Sequence, residues 1–201
     1  MTTTTAPVAT EKHTGHWYHE FVPAKAGYVF LGISRILLGL VFLWAFLDKT
    51  FGLGWATASK DAWKFGTGDG SPTFGFLKFA TNPASPLHSF YGNIASTSPN
   101  AWANWLFMAG LLGIGVALTF GIFMRIGTVS AVVMLFMMWM AEWPLKQIPN
   151  STSPFNAPGL DDHVIYAVLA ITLMLLCAER YVGLGKWWES LSFVKKLPWL
   201  A

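Results

Sequence analysis

The sequence predicts an all-α membrane protein, a four-transmembrane-helix bundle with an extramembrane interfacial segment between helices 1 and 2. Three observations predict it. Residues 103 to 143 form a predominantly apolar stretch whose only charges are Arg125 and, near the far end, Glu142. As one helix this run would be roughly 60 Å long, about twice the ~30 Å hydrocarbon core of a bilayer, so it must fold back on itself. Two further apolar segments, Tyr28 to Leu47 with Arg35 as its sole charge and His163 to Ala178 closed by Glu179 and Arg180, supply the first and last spans. The composition agrees: 54% of residues are hydrophobic and 11% charged, where a soluble domain carries about a quarter charged residues.

In chain order, residues 1–26 form a polar, threonine-rich tail without the apolar core of a cleavable signal, so the first span is expected to act as an uncleaved anchor. The four helices are placed at about 28–48, 102–122, 126–143 and 162–180. Gly121, Arg125 and Gly127 mark the turn between the second and third, because glycine relieves the backbone and an arginine is tolerated where it reaches headgroups or a partner. The outer segment 49–101 interleaves Phe51, Trp55, Trp63, Phe74, Phe79 and Tyr91 with glycine, proline and serine, the pattern of short helices lying on a bilayer surface. Pro144, Pro149, Pro154 and Pro158 exclude a long helix before Asp161. Residues 184–201 read as a basic, tryptophan-bearing amphipathic tail attracted to anionic lipid. Many of the 11 tryptophans fall near span ends, where an amphipathic ring favours the interface.

Charge sets the orientation. With the N-terminus inside, Lys12, Lys25, Arg35, Arg125, Arg180, Lys186, Lys195 and Lys196 are cytoplasmic, against Lys49, Lys60, Lys64, Lys78 and Lys146 outside. The basic bias points inward, which places the protein in the cytoplasmic (inner) membrane with both termini cytoplasmic. The single cysteine, Cys177, precludes an intramolecular disulfide and is expected to pack as a small apolar residue.

Three places could carry chemistry. Arg35 lies about seven residues into the first span, at the depth of Glu179, and a buried Arg35–Glu179 pair is expected, set against an Arg35 that only snorkels or ties helices together. The outer rim gathers Asp48 and Lys49, then Glu142 and Trp143, then Asp161, Asp162 and His163. A histidine among carboxylates can carry protons near neutral pH, and the lysines can attract a small anion. Helix capping alone also accounts for Asp161 or Asp162. Finally, His13, His16 and His19 recur at a spacing that could touch a metal if helical. A polar tail of this kind is ordinarily solvated, and no bound metal is expected. No paired intramembrane histidines, CxxC, phosphate loop or nucleophile elbow is present, so a redox role needs a diffusible cofactor, most simply quinone, or a partner subunit.

The run from Ser34 through Arg35, Gly39 and Phe42, followed by Asp48, Lys49 and Gly52, resembles the first helix of the DoxX/DoxD family of small four-span membrane proteins. Pro158 to His163, opening the last helix, is a second match. The likeness covers about residues 28 to 180. It implies the membrane subunit of a thiosulfate:quinone oxidoreductase, in which two thiosulfates couple to tetrathionate and two electrons pass to quinone. On that reading His163, Lys49 and Asp162 are the catalytic candidates, and Arg35, Glu142 and Trp143 are placed against the quinone. The alternative is a non-catalytic membrane subunit or scaffold that recruits soluble redox or oxidative-stress partners. Expected partners are membrane lipid, quinone and a second redox subunit, with a homo-oligomer left open and no nucleic acid. A transporter is disfavoured by the absence of repeated halves or a polar midplane cluster.

Overall fold

The computed structural model describes residues 24–65, 70–146 and 159–200. Seven α-helices occur among them: α1 (Ala24–Phe51), α2 (His88–Ile94), α3 (Trp102–Phe120), α4 (Met124–Glu142), α5 (Asp162–Leu175), α6 (Gly185–Ser190) and α7 (Ser192–Lys196), with no strand. Three stretches, Lys25–Phe51, Trp102–Phe120 and Met124–Glu142, are long and apolar enough to cross a membrane by length and composition. That is the signature of a multi-pass membrane protein. The histidine tail at residues 13 to 19 lies outside the described residues.

Two boundaries differ from those read in the sequence. The reversal between α3 and α4 is tighter than expected, since Gly121 caps α3 in the left-handed region (φ 74°) and Phe123 (φ 51°) turns the chain straight into α4. Arg125 and Gly127 therefore belong to the helix rather than the turn, where Gly127 admits the Ala117 side chain. The last apolar helix is also shorter. It ends at Leu175 after 14 residues, roughly 21 Å of rise, because Cys177 takes a left-handed conformation (φ 50°) and a 3₁₀ turn follows at Ala178–Arg180.

Helices α1, α3, α4 and α5 share one buried cluster, with Leu38 and Phe42 meeting Met108, Ile114, Leu118, Leu135 and Leu173. The outward faces are apolar too: Phe30, Leu37 and Trp44 on α1, Val129 and Phe136 on α4, and Ile165 and Val168 on α5 are all exposed. Apolar surface this extensive suits lipid rather than water. Between helices in lipid the hydrophobic effect vanishes and close van der Waals contact must hold them. The α1–α3 contact is built that way. A Cβ on Gly39 would lie 2.9 Å from the Leu118 carbonyl carbon, and one on Gly115 would lie 2.8 Å from the Leu43 nitrogen, so each glycine faces the other helix's backbone.

Arg35 anchors the same contact. It is fully buried, and its guanidinium donates to the carbonyls of Leu118, Thr119 and Val182. Two of these belong to the last turn of α3, whose carbonyls have no partner within the helix and carry the negative end of its dipole. The expected Arg35–Glu179 pair is replaced by this arrangement. Glu179 is buried nearby, with Gly121 between them, yet no ion pair joins the two.

At the opposite end, the segment between α1 and α3 folds over the end of α4. Tyr91 Oη donates to the Met137 carbonyl at 2.7 Å, Ser85 Oγ to Met140 at 2.6 Å, and the Asn82 amide nitrogen to Ala141 at 2.9 Å. Burial pushes the Tyr91 phenol above its ordinary value, so it remains a donor at neutral pH. Asn104, fully buried in the first turn of α3, accepts from Ser71 and Thr73 and donates to Ser98 and Pro99, which ties both arms of this segment to one side chain. The C-terminal tail packs beneath the α3–α4 turn through Trp188, Val194 and Leu200 against Ile122 and Phe123, leaving Trp187, Phe193 and Trp199 exposed.

Two outcomes are expected from thermal melts of the detergent-solubilised protein. Gly39→Ala forces backbone against backbone and lowers stability by about 1–3 kcal/mol, whereas Gly113→Ala, where a Cβ meets nothing within 4 Å, leaves it unchanged or slightly raised. Arg35→Ala strips three buried carbonyls of their donor and costs roughly 3 kcal/mol; Arg35→Lys, lacking the planar fork, recovers only part of it.

Candidate functional site

The rim at the C-terminal end of α4 and the N-terminal end of α5 is where titratable groups converge. Asp161 is the N-cap of α5. Its Oδ1 accepts from the Val164 amide at 3.1 Å, satisfying one of the free donors of the first turn. The cap geometry turns the second oxygen back over that turn, where Oδ2 lies 3.0 Å from His163 Nδ1. An ionised Asp161 selects the tautomer with hydrogen on Nδ1 and holds the ring plane. Asp162 Oδ1 lies 3.4 Å from the same nitrogen, but its side chain is 61% exposed, against 8% for His163 and 0% for Asp161. Glu142, the last residue of α4, completes the group: Glu142, Asp161 and His163 each offer a donor atom, and these lie within 4.8 Å of one another.

The surrounding tryptophans hold the two helix ends in register. Trp139 Nε1 donates to the Gly159 carbonyl at 3.1 Å, two residues before the cap. Trp143 ends α4 in the left-handed region (φ 43°), a conformation that costs a non-glycine residue roughly 1 kcal/mol. Its amide bonds back to Trp139 at 2.8 Å, its carbonyl accepts from Asn82, and its ring packs edge-on against Trp139 at 5.6 Å.

The residues singled out in the sequence thus separate. His163, Asp162 and Glu142 come together, while Trp143 follows Glu142 in the chain with its ring against Trp139. Lys49 lies half-buried near the end of α1, and no hydrogen bond or ion pair joins its ammonium to His163 among the described residues. Asp48 is buried and accepts from the amides of Ala56 and Trp55, which makes it the clamp of the turn after α1. Arg35 lies at the other end with its fork committed to carbonyls, and so is not brought to the candidate quinone site. Asp161 rather than Asp162 is the buried partner of the histidine. The signal was present in the Asp-x-His spacing, since the side chain of an N-cap residue bends over the first turn and meets the residue two positions on. A groove of about 370 Å³ between α3 and α4, lined by Gly110, Gly113, Ala117, Phe123 and Ile126, belongs to the turn end and brings no titratable side chain to it.

No family model, characterised protein or solved structure matches the chain. What the site can do is carried by its geometry alone.

The double duty of Asp161 separates in two variants. Asp161→Asn retains a capping oxygen and keeps thermal stability near wild type, whereas Asp161→Ala loses about 1 kcal/mol. The His163 ring, whose Nδ1 lies 3.0 Å from Asp161 Oδ2, is expected to change tautomer in Asp161→Asn, read from its ring nitrogen chemical shifts, because the amide nitrogen cannot accept from Nδ1. An unchanged tautomer in Asp161→Asn would mean that Asp161 serves only the cap.

Proposed function

We propose that the chain is a four-span membrane redox protein of the DoxX/DoxD kind, which passes electrons from a small sulfur anion to membrane quinone at its outer rim. The observation that carries this reading is the buried Asp161–His163 pair beside Glu142, at the end of helices suited to a bilayer. Quinone reduction consumes protons along with electrons, and a ring nitrogen oriented by a carboxylate is a means of delivering them. With thiosulfate as donor the balance is two thiosulfates and one quinone, plus two protons, giving tetrathionate and quinol. A sulfur–sulfur bond forms, the two outer sulfurs lose one electron each, and both electrons and both protons end on the quinone.

In this reading α5 is the fourth span, completed by the turn Leu176 to Arg180 that carries the chain to the inner surface. The segment between α1 and α3 lies on the outer face, and the N-terminus is cytoplasmic in the inner membrane. His163 moves the proton, Asp161 orients it and Glu142 exchanges with it. Lys49 supplies positive charge for the anion, Asp162 stands at the solvent mouth, and the Trp143 ring offers a flat surface to the quinone head.

The test is quinone reduction by purified protein with thiosulfate as donor and a water-soluble quinone as acceptor. Turnover is expected in the wild type, with a loss of about a hundredfold in His163→Ala and an unchanged melting temperature. Equal turnover in the variant would remove the rim from the reaction. No turnover from folded wild type would favour a subunit that recruits a redox partner, to be sought by copurification.

A further inference from the structure

We infer that Glu142, Asp161 and His163 form a three-ligand site for a divalent first-row transition cation where α4 ends and α5 begins. The inference goes beyond the redox reading and does not depend on it.

Geometry comes first. Donor atoms bound at about 2.1 Å sit about 3.0 Å apart when neighbours on an ion and about 4.2 Å apart when opposite. Asp161 Oδ2 and His163 Nδ1 are already 3.0 Å apart, and the whole set lies within 4.8 Å, so closing on an ion requires shortening the longest separation by at most about 1.8 Å, within reach of the Glu142 side chain. The supports are rigid where they need to be. Asp161 is held by the cap hydrogen bond through its other oxygen, His163 stands in the first turn of α5, and Glu142 projects from the last turn of α4, whose end is pinned by Asn82 and Trp139.

Charge is the second argument. Glu142, Asp161 and Asp162 surround one imidazole, and among the described residues no lysine or arginine makes an ion pair with any of them. The positive end of the α5 dipole offsets about half a charge. Two acidic side chains, Glu142 and the buried Asp161, thus meet at one imidazole with the exposed Asp162 beside it, and a divalent ion would offset their charge. The donor set decides the class of ion. Two carboxylates with one imidazole suit Mn²⁺, Fe²⁺ or Zn²⁺, while the nitrogen disfavours Mg²⁺ and Ca²⁺. Three protein ligands leave positions for water, and with the ion bound that water takes over the proton-handling role proposed for the imidazole.

The test uses full-length purified protein without an affinity tag and with no quinone present. Mn²⁺ is added and the spectrum of the free aquo ion is followed by electron paramagnetic resonance. The wild type is expected to take up one ion per chain that Zn²⁺ displaces and an equal concentration of Mg²⁺ does not. His163→Ala and the near-isosteric Glu142→Gln each weaken binding at least tenfold, with circular dichroism and melting temperature confirming the fold. Glu142→Gln also separates the rim from the histidines of the N-terminal tail, which it leaves untouched. The site is overturned if folded wild type leaves the free-ion signal intact, if both variants bind as the wild type does, or if Mg²⁺ competes equally. Quinone turnover is a separate assay, so either idea can fail alone.

Discussion

The packing of the chain depends on how a buried arginine is satisfied without a carboxylate. Arg35 is the sole charge in the stretch Tyr28 to Leu47 of α1 and is fully enclosed. Its solution is to point a planar fork at the main-chain carbonyls ending α3 and at Val182 beyond α5. The two on α3 are groups that a helix cannot pair internally, and in an apolar setting an unpaired one costs several kcal/mol. Two costs, a lone cation and a frayed helix end, therefore offset one another. The same contact requires α1 and α3 to approach closely, which is why Gly39 meets the backbone of Leu118 and Thr119 one turn along from Arg35.

The far end solves the equivalent problem by other means. The last carbonyls of α4 receive donors from Tyr91, Ser85 and Asn82, carried by a long excursion of the chain, rather than from a single charged side chain. Because that excursion caps α4, and Trp139 reaches across to Gly159, the position of Glu142 relative to the start of α5 is set by a network and not by the helix contact alone. Closing the turn after α1 occupies Asp48, and holding the excursion to α3 occupies Asn104. Polar residues in this half of the molecule mostly bond to backbone, which singles out the few that do not.

Hydropathy made the three long helices readable, because a run of apolar residues twice the bilayer thickness admits few alternatives. The end of α5 was not readable. Its apolar run continues through Cys177, and nothing in composition signals that Cys177 adopts a left-handed conformation more usual for glycine. The approach of Glu142 to His163 followed from antiparallel helix order alone. The partner of Arg35 did not, since a sequence displays side-chain charges but not the carbonyls at the end of a neighbouring helix, so Glu179 stood out as the obvious anion. Choosing between Asp161 and Asp162 needed the helix start to within one residue, the level at which sequence-based boundaries are weakest.

The two ends of the molecule hold opposite kinds of buried charge, and the contrast separates structure from chemistry. At the α3–α4 turn the arginine is answered by oxygens that the fold must pair in any case, so the arrangement is complete once the helices pack. At the rim the carboxylates of Asp161, Asp162 and Glu142 gather around one imidazole, and among the described residues no lysine or arginine pairs with them. Capping accounts for one oxygen of Asp161 and no more. It explains neither the second oxygen directed at His163 nor Glu142 brought up from another helix to make the local charge more negative. An arrangement that stability alone would discourage persists where protons or a cation complete it, which is the reason for proposing the rim, rather than the mechanical anchor at Arg35, as the place of chemistry.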